Sequence, residues 1–146
     1  MPAPATYDPS MVKVLVGGAI IGGFADGTFV QAEYSSDFFT KTTGSDKLTT
    51  RVKQNDFSGT ITLTLQQSSP SNDILSGFVA LDRVNNTGVV PIAVSDLSGR
   101  TVVGTAYGWV RKPPAVEFSK EVSNREWVID CAEMEGFIGG NTQFSL

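Results

Sequence analysis

A mainly β fold, a barrel or sandwich of antiparallel strands with one flanking α-helix, is predicted for this 146-residue chain by three observations. Residues 58–67, SGTITLTLQQ, place Ile61, Leu63 and Leu65 on one side and Thr60, Thr62, Thr64 and Gln66 on the other, the period of two that marks a half-buried strand. Apolar residues recur at helical spacing in one segment, about residues 71–86. Turn signals at Gly17-Gly18, Asp26-Gly27 and Asp96-Leu97-Ser98-Gly99 divide much of the remainder into strand-length pieces. A chain of this length buries roughly 68–70% of its unfolded surface, which points to one domain over residues 1–146.

In chain order, residues 1–10, MPAPATYDPS, carry three prolines and no apolar period. They read as a flexible, extended arm that gains order by docking on a neighbour. A first strand follows at 11–17, residues 19–21 continue or return it across Gly17-Gly18, and another strand occupies 28–34. The glycine-rich stretch GGAIIGGFADG invites comparison with phosphate-binding loops. In the GxxxxGK[ST] pattern, however, the frame from Gly17 puts Gly23 at the lysine position and the frame from Gly22 puts Thr28 there. No GxGxxG spacing and no following helix offer an anion site either. Gly17, Gly18, Gly22, Gly23 and Gly27 therefore read as structural turn and bulge glycines at the corners of the first hairpin.

Residues 36–57 form a long, mostly polar connection with turn residues at Gly44-Ser45-Asp46 and Asn55-Asp56. Compact domains seldom keep such a length idle, so it reads as an extended, hairpin-like loop projecting from the body. Phe38 and Phe39 open it, and Lys41, Lys47, Arg51 and Lys53 charge it. After the 58–67 strand, Ser69-Pro70-Ser71-Asn72-Asp73 supplies an N-cap and a first-turn proline. The helix carries Ile74, Leu75, Phe78, Val79 and Leu81 and ends near Asn85-Asn86-Thr87-Gly88.

Strands at 89–95 and 100–110 flank the 96–99 turn. Strict alternation along the second puts Val103, Thr105, Tyr107 and Trp109 on one face, as core-packing aromatics and neighbours, and leaves Gly104, Ala106 and Gly108 on the other. A face so bare permits close approach, for instance by the helix. Lys112-Pro113-Pro114 interrupts the sheet, and residues 125–134 resume it with Trp127, Ile129 and Cys131 on one side and Glu126, Val128 and Asp130 on the other. Residues 136–146 form a glycine-rich tail.

Composition narrows the function. The net charge is -4, which argues against a general grip on nucleic acid or anionic lipid. There is no histidine, so the commonest general base and zinc ligand are missing, and the one cysteine, Cys131, reads as a small buried hydrophobe. Glu133 and Glu135 share a strand face but lack a nucleophile or ligand cluster beside them, so neither an enzyme nor a cofactor site is expected. The uncharged run 14–25 is twelve residues, short of the roughly 20 that span a bilayer, and no stable membrane insertion is expected. Synthesis in the cytoplasm as a soluble protein follows.

Charge is unevenly placed. Residues 37–56 hold four bases against three acids, whereas residues 117–135 hold six acids against two bases. Opposite charge at two places on one chain allows copies to join head to tail. Glu126, Asp130, Glu133 and Glu135 are the candidate acids for an interface or a lumen. A different class, a monomeric β-sandwich binding module such as a carbohydrate binder, would use Tyr107 and Trp109 as a stacking surface.

In their order and spacing, YDPSMVKVLVGGAIIGGFADGTF, SDFFTKTTGSDKLTTRVKQNDFSGTITLTLQQSSPSNDILS, VPIAVSDLSG and EWVIDCAEMEGFIGGN resemble the tail tube proteins of contractile-tailed bacteriophages, over nearly the whole chain. Type VI secretion ring proteins share that architecture. The resemblance implies a β-barrel or sandwich in hexameric rings that stack into a hollow tube, with the 36–57 loop reaching toward the adjacent ring. It implies as partners further copies of the chain, the tail sheath, the tape measure protein, and baseplate and tail terminator proteins. Double-stranded DNA would pass transiently and without sequence preference through a virion component assembled in the host cytoplasm.

Overall fold

The alternation at 58–67 becomes the central strand of the protein. In the computed structural model, which describes residues 3–141, Ile61, Leu63 and Leu65 are fully buried while the threonines between them are half-buried. The strands are β1 (Val12–Val16), β2 (Ala19–Ile21), β3 (Val30–Tyr34), β4 (Phe39–Thr43), β5 (Thr49–Lys53), β6 (Gly59–Gln66), β7 (Val90–Asp96), β8 (Val102–Lys112), β9 (Asn124–Cys131) and β10 (Met134–Phe137). One helix, α1 (Ser71–Asn85), lies between β6 and β7. Eight strands make one antiparallel sheet in the order β2-β1-β7-β8-β9-β6-β3, with β10 on the edge of β8, and β4 and β5 make a separate two-stranded sheet.

No ladder joins the end strands β2 and β3, so the sheet is open and no closed barrel forms. Instead, the chain leaving β2 crosses to β6. Phe24 bridges Leu65, Gln66 N–H donates to the Gly23 carbonyl at 2.8 Å, and Ala25 N–H donates to the Thr64 carbonyl at 3.0 Å. The sheet thereby wraps one core of Val14, Val16, Ile21, Leu63, Leu65, Leu75, Ile92, Trp127, Ile129 and Met134, with their buried neighbours. Cys131 belongs to this core at 2% exposure, as expected of a small hydrophobe.

The helix closes one end of the wrapped sheet. Ser69 Oγ receives the Ser71 N–H, and Asn86 ends the helix in the left-handed region at φ 55°. Trp127 Nε1 donates to Asn72 Oδ1 at 2.9 Å, and Asn72 Nδ2 donates to the carbonyls of Gln66, Gln67 and Ser69. The Gly22-Gly23 corner packs onto the same place, with Ser69 Oγ donating to the Gly22 carbonyl and Gly22 N–H donating to Ser71 Oγ.

Gly17, Gly18, Gly23 and Gly27 all have positive φ, whereas Gly22 does not. At Gly23 (φ 70°) a side chain would also collide with Ser69, so conformation and packing both demand glycine. The helix does approach the 100–110 strand, as expected, but the atoms that press on its Gly104 and Gly108 are those of Ile92 on β7, and the helix's Phe78 presses on Gly17.

Strict alternation along β8 also fails, because a step of three positions on β8, from Thr105 to Gly108, faces a step of two on β7, from Ile92 to Val90. The Thr105 hydroxyl bridges that bulge, receiving Tyr107 N–H and donating to the Tyr107 carbonyl. Thr105 therefore points inward while Tyr107, expected in the core, is 64% exposed. The expected 125–134 strand divides into β9 and β10, and β10 pairs β8 where a tail was anticipated. The end of the N-terminal arm docks on the 96–99 turn, where Asp8 N–H donates to Ser98 Oγ. Residues 1–2 of the arm and 142–146 of the tail lie outside the described residues.

Candidate functional site

Two surfaces draw in the charged residues singled out in the sequence. The first is the β4–β5 hairpin within residues 36–57, every strand residue of which is exposed. Phe38 is at its root, edge-on to Tyr34 at 4.8 Å and to Phe57 at 5.4 Å between ring centres. Asp56 stiffens that root: its carboxylate accepts from Ser58 Oγ at 2.6 Å, from Ser58 N–H at 3.0 Å and from Ser36 Oγ at 3.0 Å. Those bonds, the Ser58 hydroxyl first, hold the carboxyl below the ordinary aspartate range. At the tip, Gly44 N–H donates to the Leu48 carbonyl, and Lys47 turns the chain at φ 68°.

Register sorts the hairpin into two unlike faces. Phe39 pairs with Lys53 and Lys41 with Arg51, so these four share one face. Arg51 sits over the Phe39 ring at 4.0 Å, a cation–π contact. Thr40, Thr42, Thr50 and Val52 make the other face, which carries no charge.

The second surface lies on the outer side of β8, β9 and β10. Glu126 and Asp130 project from β9, and Glu133 and Glu135 stand at the step into β10 and on it. Asp130 is already neutralised, since Arg111 Nε and Nη2 both donate to its Oδ1 at 2.8 and 2.6 Å and Nη2 also donates to Thr60 Oγ1 at 3.1 Å. The Asp130 bond and charge raise the Arg111 pKa in return. Glu133 and Glu135 line a groove of about 520 Å³ together with Val102, Gly104, Tyr107 and Phe137.

Thus Lys41, Arg51 and Lys53 come together with Phe39, as do Glu133 and Glu135, whereas Phe38, Lys47 and Asp130 are drawn to other duties. The groove itself was missed in the sequence. Its signal, the glycines at 104 and 136 beside an aromatic at 137, is masked by the β8 bulge and by the splitting of β9 from β10. Arg125 was also missed: it points inward at 8% exposure and clamps the 113–123 connection, donating to Ser123 Oγ at 2.7 Å and the Glu117 carbonyl at 3.1 Å.

A projecting hairpin and an open antiparallel body define the kind of protein with which to compare. Residues 15–139 match the family model of the bacteriophage PhiTE tail tube protein. The chain belongs to this tail tube family. It is a structural protein of the phage tail, a virion component and not an enzyme. Structural protein ORF10 of Pseudomonas phage KPP10 is 30% identical over 149 residues, covering 97% of this chain and 86% of that protein.

Among solved structures, the anti-feeding prophage cap matches with a TM-score of 0.66 at 9% identity, covering 94% of each chain. A chain of the PVC extracellular contractile injection system, from its sheath–tube complex in the extended state, matches at 0.65 and 14% identity, covering 90% of this chain and 91% of that one. The sheath/tube terminator of the same system matches at 0.60 and 14% identity, covering 94% and 98%. These likenesses establish a shared fold for the tail tube protein.

Proposed function

We propose that the chain forms hexameric rings that stack into the inner tube of a contractile tail, and that DNA passes along this tube into the host cell. The free-standing hairpin carries the reading. An isolated two-stranded hairpin is marginal in water, and this one exposes Phe39, Leu48 and Val52. Such a hairpin is built to be completed by another molecule, and Phe38, Phe39, Lys41, Lys47, Arg51 and Lys53 form or support the ring-stacking contact. The outer strand β3 leaves an edge for a ring neighbour, turning an aggregation liability into an assembly device.

Family membership and the fold shared with chains of contractile injection systems support the sheath, terminator and baseplate as outer and end partners, and the tape measure protein as the occupant of the lumen during assembly. The net negative charge suits a conduit that lets phosphates slide. Glu126, Glu133 and Glu135 remain the acids for interfaces or the lumen, Asp130 being held by Arg111, and assembly takes place in the host cytoplasm. Negative-stain microscopy of the purified protein tests this: rings with a central hole, or tubes, are expected, and discrete monomers at high concentration would refute it. Deleting residues 42–50 should leave the near-UV circular dichroism of the body intact while abolishing stacking.

A further inference from the structure

We infer that the basic face of the β4–β5 hairpin docks into the groove over the paired β8 and β10 strands of a second copy of this chain. The inference rests on the hairpin being a contact between copies and adds its receptor.

The hairpin's charge placement asks for an acidic partner. Lys41 stands directly across the ladder from Arg51, and Lys53 follows on the same face. Like charges so placed oppose each other within the hairpin. The single ion pair among the described residues is Arg111 with Asp130, so Lys41, Arg51 and Lys53 have no carboxylate within 4.0 Å there. The opposite face is neutral, which leaves one orientation for docking.

The groove has the complementary chemistry. Glu133 and Glu135 are exposed and likewise make no ion pair among the described residues. Tyr107 and Phe137 wall the groove, each more than 60% exposed, and offer ring faces to a guanidinium such as that of Arg51. Gly104, paired with Glu135, adds no side chain to its lining. At about 520 Å³ it accommodates several side chains of a hairpin whose strands, at roughly 3.4 Å per residue, run about 17 Å.

The donor is another copy. All strand residues of the hairpin are exposed, so it does not lie in its own chain's groove, although its root is tied nearby through Met134 N–H to the Phe57 carbonyl. A hairpin of one copy in the groove of the next is a head-to-tail contact, the kind that closes rings or propagates filaments.

Charge reversal tests this in cells producing the tail with only this gene deleted, each variant being supplied in trans and tubes counted by electron microscopy. Lys41→Glu/Arg51→Glu/Lys53→Glu and Glu133→Lys/Glu135→Lys should each lower tube number more than about tenfold, and all five changes in one chain should restore it. Near-UV circular dichroism of each purified variant verifies folding, and the milder Glu133→Gln/Glu135→Gln should give an intermediate loss if the lysine form misfolds. If reversing the hairpin abolishes tubes while reversing or neutralising the groove leaves them normal, the groove assignment falls and the hairpin's assembly role stands. If neither matters, both fall. Two losses without rescue in the combined chain also overturn direct pairing.

Discussion

Strand β6 and the β4–β5 hairpin are both rich in threonine with apolar residues interspersed, yet their situations are opposite. β6 is paired on both edges, by β9 and by β3, and its inward residues have no exposure. The hairpin strands pair only with each other, and neither face is covered. Sequence pattern alone therefore does not set stability. Burial does, and a strand pair left without it depends on its aromatic root.

The contrast breaks most readily in the body. Leu63→Ala should cost about 2–5 kcal/mol in chemical denaturation, the range for a fully buried leucine. A cost below 1 kcal/mol, of the order of a surface change, would dissolve the distinction. Next comes the corner beside the helix. Gly23→Val should cost about 1–3 kcal/mol from its backbone angle, with the Ser69 collision added. Gly22→Val, at ordinary φ in open space, should stay within about 0.5 kcal/mol. Equal effects at the two glycines would remove the geometric argument.

Acid should loosen the hairpin root and the N-terminal arm before the body. Asp56, Asp8 and Asp96 each accept from a serine two residues on, and each carboxyl lies below its ordinary value chiefly because of that serine's hydroxyl. A depressed native pKa means the contribution is complete above the unfolded value of about 3.9 and disappears as pH falls through the lower native value. Amide exchange at Ser58, Ser10 and Ser98 should accelerate in that window while the β6 amides stay protected. Uniform loss of protection would contradict it. The smallest effect belongs to Val52→Thr on the hairpin's neutral face, within about 0.5 kcal/mol by denaturation. A larger loss would show that the hairpin supports the body after all.

Much of this molecule is legible where pattern and burial agree. The helix starts near where its apolar spacing begins, although Pro70 takes the N-cap position itself and not the first turn, and Trp127, Ile129 and Cys131 face inward as alternation requires. Legibility fails where a backbone irregularity resets the period. The bulge between Thr105 and Gly108 flips Tyr107 outward, and no residue type announces it locally, since the bulge answers to Ile92 on another strand. The return of the chain after β2 onto β6 is another non-local pairing. Arg125 sits inward because its guanidinium finds Ser123 and the Glu117 carbonyl, partners from a connection whose path the sequence does not reveal. The basic residues of the candidate assembly surface were legible as a group, but their division into faces needed the register. The groove over β8 and β10 depended on the bulge and was not legible at all.

Cys131 carries a practical consequence. Its thiol is pushed up to about 11 by burial and by the Asp130 carboxylate, and the chain contains no other cysteine. At neutral pH the folded protein is therefore expected to react only slowly with thiol reagents, without any engineering. A cysteine introduced at Thr42, on the exposed hairpin, becomes the one addressable handle per copy. A fluorophore or heavy-atom cluster attached there would mark every subunit at a chosen point, and the native sulfur, reacting only when the sheet opens, would clock unfolding in the same sample.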